Sequence, residues 1–220
     1  MSKRVSTTSS RDRRCIGDSG AALMETAIIA PVFLLIVLGI MEYGLIFRDF
    51  LTLGDGIADS AKFGAIQGGS VTSTGDTGDY TMMNLLRQNL AAVPSAWVTK
   101  VIIYRGVPPV TPNLAPLAQV PTVCKNGTVS STAFKCNVYI PQEAFREAQN
   151  ANGAYFKCVL GLGAACGWDP ITRKNGPKNA DIEYVGVYVK LVRSMPTKLF
   201  GSTYTLEQAN IQRIEPGELT

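Results

Sequence analysis

The sequence predicts an α+β protein: one long N-terminal transmembrane helix followed by a small domain built on an antiparallel sheet. Three observations lead there. An uncharged run, Thr26 to Met41 (TAIIAPVFLLIVLGIM), stands near the N-terminus. Alternating, β-branched segments follow in the second half of the chain, as strands require. Four of the five cysteines, Cys124, Cys136, Cys158 and Cys166, lie beyond the apolar run, in Gly- and Pro-rich sequence.

The size and composition narrow the class of function. The 220 residues leave room for one modest domain and an anchor. A net charge of +4 is too small to point to nucleic acid. The chain contains no histidine. That removes Ser/His and Cys/His nucleophile pairs, His-ligated metal sites and the commonest general base. No nucleophile motif replaces them, so the expectation is a non-enzymatic protein with no cofactor, no metal and no small-molecule substrate.

The uncharged run covers about 24 Å as a helix, and its extension through Phe47 exceeds the roughly 30 Å hydrocarbon thickness. A removed signal peptide would show a shorter apolar region and a small-x-small site directly after it. The run instead continues into Met41-Glu42-Tyr43-Gly44-Leu45-Ile46-Phe47-Arg48. It is also apolar on every face, which a helix in a soluble core is not. Lys3, Arg4, Arg11, Arg13 and Arg14 precede it, and basic flanks mark the cytoplasmic end. The expected organisation is a basic leader at residues 1–20, a single span at 21–47 and an extracytoplasmic domain at 48–220. Pro31 deletes one backbone donor within the span and is expected to kink it. Glu42 falls at the outer boundary, within reach of headgroups or water. Glu25 stands at the inner end of the run.

The context of Glu25 carries the functional reading. RRCIGDSG–AALMETAIIAPVFLLIVLGIMEYG combines a short basic leader, Gly20, four small or apolar residues, a carboxylate and the hydrophobic run. This resembles the prepilin pattern of type IV-like filament proteins. The resemblance implies cleavage between Gly20 and Ala21 by a membrane aspartyl peptidase, the prepilin peptidase. It also implies pairing of Glu25 with the new N-terminal amine of a neighbouring subunit. In low dielectric such a pair would give register to helices otherwise packed by featureless apolar contact.

The resemblance narrows further to the TadE-like family, the minor pseudopilins of the tight-adherence (Flp) pilus system. The positions that carry it are Gly20, Ala21, Ala22, Glu25, Pro31, Gly39, Ile40, Glu42, Tyr43 and Gly44. The polar stretch Ala58-Asp59-Ser60-Ala61-Lys62-Phe63-Gly64-Ala65 and the Arg213-Ile214-Glu215-Pro216 ending add to it. Thr26 departs from the family, whose members usually place Phe or Tyr there. The resemblance implies a pilin-like outer domain, with Glu25 and Glu42 as assembly residues and pilus-assembly subunits as partners. The alternative, from a different class, is a single-pass membrane-anchored extracytoplasmic binding protein unrelated to pili.

Beyond the span, Phe50, Leu53, Ile57 and Ala61 recur at three- and four-residue steps, so the helix is expected to continue to about Ala65. Gly54 and Gly56 weaken it locally. Gly68 to Asp79 reads as a polar loop and Tyr80 to Ala92 as a second helix stopped by Pro94. Strands are expected at Trp97–Arg105, Phe134–Ile140 and Ile182–Val192. Thr203–Ile214 suits a last strand or a short helix. Val107 to Pro121 is too proline-rich for either element.

With Cys15 in the leader, the four remaining cysteines form an even set on the oxidising side of the membrane. Three pairings are possible. The local one, Cys124–Cys136 and Cys158–Cys166, closes the shortest loops and is preferred. A zinc site lacks the C-x₂₋₄-C spacing. Asn126-Gly127-Thr128 fits a glycosylation acceptor, and Arg173 to Lys178 reads as a solvated turn or a contact for an anionic surface.

Overall fold

A helix satisfies its own backbone hydrogen bonds, so an apolar run followed by an amphipathic one can belong to a single helix. That is α1, Ile16–Gln67, with Pro31 inside it. The computed structural model describes residues 16–69, 71, 76–107, 114–127, 130–158, 167–174, 183–198 and 201–215, with side chains from Gly20 onward. The chain divides into two units, Met1–Tyr43 and Gly44–Thr220.

In the first unit the apolar side chains of α1 are exposed all round, among them Leu23, Ile28, Phe33, Leu34 and Ile40. α1 is long and apolar enough to cross a membrane. Thr26 fits such a surface because its hydroxyl donates to the Ala22 carbonyl at 2.8 Å, satisfying its one donor within the helix.

In the second unit α1 becomes one-sided. Asp49, Leu53, Ile57, Ala61 and Ala65 repeat every four residues and are buried, whereas Asp55, Asp59 and Lys62 are not. Gly54 and Gly56 do not break the helix. A Cβ at Gly56 would stand 3.3 Å from Asn89, so the missing side chain allows close approach instead. The same holds at Gly64, where a Cβ would run into the Met82 thioether.

Helix α2, Gly78–Asn89, starts two residues earlier than expected because Thr77 caps it, its hydroxyl accepting from the Tyr80 amide. It ends three residues early, at Asn89 rather than Ala92. Met82, Met83, Leu86 and Leu90 bury its inner face.

The sheet has the order β2-β1-β3-β4, with β1 at Val98–Gly106, β2 at Cys136–Tyr139, β3 at Tyr184–Ser194 and β4 at Thr203–Arg213. Every neighbouring pair is antiparallel. The fourth segment is therefore a strand and not a helix: its eleven residues pair with β3 from Tyr184↔Arg213 to Ser194↔Thr203. Alternation divides the central strands between two cores. Val101, Ile103, Val185, Val187, Val189 and Leu191 join α1, α2 and α4 in the larger one. Ile102, Tyr104, Val138 and Tyr188 form the smaller one with Val120, Cys124 and Cys136.

The smaller core explains the proline-rich segment. Its described part holds a short 3₁₀ turn, Pro116–Gln119; the brief helix α3, Thr122–Asn126, follows it, and the two cover the far face of the sheet. The Tyr104 hydroxyl donates to the Pro116 carbonyl at 3.0 Å. Gly186, opposite Tyr104 in the register, leaves room for that ring. One helix has no counterpart in the expected elements: α4, Pro141–Gln149, with Pro at its first turn and Ala144, Phe145 and Ala148 buried.

Candidate functional site

The segment singled out by sequence runs along α1. Gly20 and Ala21 are helical and exposed, on the second turn of α1. Glu25 is exposed one turn further on. Glu42 differs from expectation. It is 2% exposed, so its carboxylate is not open to water, while Tyr43 beside it is 69% exposed.

Residues 20–62 match the TadE-like protein family. The match takes in Gly20, Glu25, Pro31, Glu42, Gly44 and the small-residue stretch up to Lys62. The TadE-like family is a family of pilus components. No curated protein and no solved structure matches the chain. The TadE-like segment therefore ends inside α1, and the sheet lies wholly outside it.

Within the second unit, the part of α1 shared with the TadE-like segment is fixed by a buried carboxylate that sequence reasoning did not single out. Asp49 is completely buried. The Arg193 guanidinium and the Tyr204 hydroxyl both donate to its Oδ2, and Arg48 donates to Oδ1 at 3.1 Å. The Arg193 guanidinium lies 4.2 Å from the centre of the Trp97 ring. Burial alone would push the Asp49 carboxyl up, but the bonds from Tyr204, Arg193 and Arg48 outweigh it and hold the group below its ordinary value. Burial and the Asp49 carboxylate together push the Tyr204 hydroxyl up to about 12. One signal was present in the sequence: Asp49 stands four residues before Leu53, on the apolar stripe itself.

A second cluster repeats the chemistry. Asp79, in the first turn of α2, is fully buried and ion-paired with Arg173. The Tyr139 hydroxyl donates to it at 2.6 Å and the Asn137 amide at 2.7 Å. Arg173 lies 4.2 Å from the centre of the Trp168 ring. Neither a solvated turn nor an anionic surface fits Arg173, because its side chain is fully buried against this carboxylate. Lys174 beside it is exposed, and residues 175–178 lie outside the described residues.

Cys124 and Cys136 are joined, as the local pairing expects. The bond ties α3 to β2 under the far face of the sheet. Cys166 and Cys15 lie outside the described residues, so the Cys158–Cys166 expectation is not described. Among the described residues no group of three or more His, Cys, Asp or Glu is placed to hold a metal ion. The acceptor residue Asn126 is exposed, and Thr128 lies outside the described residues.

Proposed function

We propose that this chain is a non-enzymatic minor pseudopilin that takes part in assembly of a tight-adherence (Flp, type IV-like) pilus. One observation carries the reading: the TadE-like match begins at Gly20, the residue before the expected cleavage point, and spans Glu25 and the uncharged run. In this reading α1 crosses the membrane at 21–47, with the leader cytoplasmic and residues 48–220 outside. A prepilin peptidase removes residues 1–20. The freed amine of Ala21 then pairs with Glu25 of an adjacent pilin-like subunit.

The support is physical as well as comparative. Side chains exposed on every side of a helix need other helices or lipid around them. A carboxylate among them is costly unless it finds a cation. The test is Glu25→Ala in the native host. Pilus yield should fall by roughly an order of magnitude or more, because one member of a low-dielectric pair is left without the other. Membrane extraction of the variant should be unchanged. Normal piliation would favour the alternative, a binding domain that uses the helix only as a tether. N-terminal sequencing of the extracted native protein should begin at Ala21.

A further inference from the structure

We propose that one end of the Gly44–Thr220 unit is built to sit in the headgroup layer of the bilayer, and that the Asp49 cluster is what holds it there. The inference rests on the reading of α1 as a membrane span, and it adds a lipid contact to the folded domain.

The sheet has two ends that the register identifies. At one end are Val98 of β1, Ser194 of β3 and Thr203 of β4, since Val98 pairs with Leu191 and Ser194 with Thr203. Arg193 and Tyr204 lie at this end, and both bind Asp49. At the other end Ile214 follows β4, and the amide of Glu215 donates to the Ala65 carbonyl at 2.9 Å. The first turns of α1 in this unit are therefore tied to the Trp97–Tyr204 end, and its last turn to the opposite end.

Those first turns carry exposed apolar side chains: Phe47 at 53% and Phe50 and Leu51 at 47%. The neighbouring end of the sheet has the composition of an interfacial belt. Trp97 and Tyr204 are half-buried, and Arg48 and Lys198 are exposed. Tryptophan and tyrosine favour the headgroup level, and arginine and lysine there favour anionic lipid. Ile140, which leaves β2 at the same end of the sheet, is 55% exposed. Of the acids near this end, Asp49 is buried under its own partners, and Glu143, in the first turn of α4, is half-buried. The β3–β4 hairpin closes with the Met195 amide donating to the Ser202 carbonyl at 3.0 Å, which keeps Lys198 at its turn.

The chain's two tryptophans provide the experiment. Trp168 is buried against Asn137, whose register partner Ile103 lies five residues along β1 from Val98, about 17 Å away. The full chain is reconstituted in phosphatidylethanolamine–phosphatidylglycerol vesicles containing lipid brominated beside the headgroup end of its acyl chains. Fluorescence of the native protein is compared with Trp97→Phe and with Trp168→Phe. The Trp97 contribution should drop roughly two-fold on bromination, as for an interfacial tryptophan, while the Trp168 contribution stays unchanged. If Trp168→Phe fails to fold, the difference between native protein and Trp97→Phe isolates Trp97 without it. Equal quenching of both, or of neither, overturns the proposal. Phe33→Trp in the Trp97→Phe background, read with lipid brominated near the chain ends, tests the span separately. Quenching there without quenching of Trp97 sinks the headgroup contact alone; no quenching there sinks the membrane reading and the contact with it.

Discussion

Two buried aspartates in the outer unit use the same parts to different ends. Asp49 and Asp79 each hold an arginine that lies over a tryptophan, and each accepts from a tyrosine hydroxyl. They differ in how closed they are. The Asp79–Arg173 pair is fully buried on both sides, with Asn137 completing it by donating to Asp79 and to the Trp168 carbonyl and accepting from the Trp168 amide. The Asp49 site keeps an opening: Arg193 is 10% exposed along its side chain, and Arg48 is 51% exposed. Asp79 ties α2 to β2 and to the chain at Trp168–Arg173, all inside the domain. Asp49 ties α1 to β3 and β4 at the end of the sheet where Arg193 and Tyr204 stand. One site closes the domain from within; the other fastens the Gly44–Gln67 part of α1 to the sheet. The difference matters because a buried pair resists substitution in proportion to how little water or alternative partner remains when half of it is removed.

The largest effect is therefore expected at the closed site. Arg173→Met preserves side-chain length and contact with Trp168 but leaves the Asp79 carboxylate buried without its cation. It should destabilise the detergent-solubilised chain by about 3–5 kcal/mol, read from urea unfolding by tryptophan fluorescence. A loss below about 1 kcal/mol would mean that the pair is no more than a surface contact. The matching change at the open site, Arg193→Met, should cost less, roughly 2 kcal/mol, because Tyr204 and Arg48 still donate to Asp49. If the two variants lose equal stability, the contrast between the sites is wrong.

The sequence made the two halves of α1 legible for the same reason: an all-round apolar run and a four-residue stripe are one-dimensional patterns. Strands β1, β2 and β3 could be read from alternation and β-branching, with ends off by a residue or two, whereas the segment of β4 read equally as a short helix. What could not be read depends on tertiary context. Helix α4 is short, and its Phe145–Ala148 stripe is interrupted by charges on the other face. The proline-rich segment has no period, and its cover of Tyr104 and Tyr188 becomes visible only once the sheet exists. Arg173 sits among Lys, Asn, Gly and Pro, so nothing local announces a partner 94 positions earlier, Asp79. Asp49 is the intermediate case. Its place on the buried stripe was readable as an anomaly, but its partners Arg193 and Tyr204 were not.

The smallest effect expected is one of pH, and it separates the two sites by a different route. The Asp49 carboxyl is held below its ordinary value in the folded chain by Tyr204, Arg193 and Arg48, against the upward push of burial. A depressed carboxyl contributes stability that is fully present above its unfolded value, about 3.9. That contribution is lost as pH falls from there through the lower folded value, where the native state must take up the proton. Stability of the native chain should therefore decline on acidification below about pH 5 partly through this group. Asp49→Asn, which keeps the shape but has no proton to bind, should be less stable at neutral pH and show a shallower decline on the acid side. Arg193→Met should move the native-state titration of Asp49 upward, so that the loss begins at higher pH than in the native protein. Urea midpoints measured across the acid range give both quantities from one set of samples. An acid limb of identical slope in native protein and Asp49→Asn would show that Asp49 is not the group being protonated. The fastening of α1 to the sheet would then rest on apolar contacts at Leu53, Ile57 and Ala61, and not on charge.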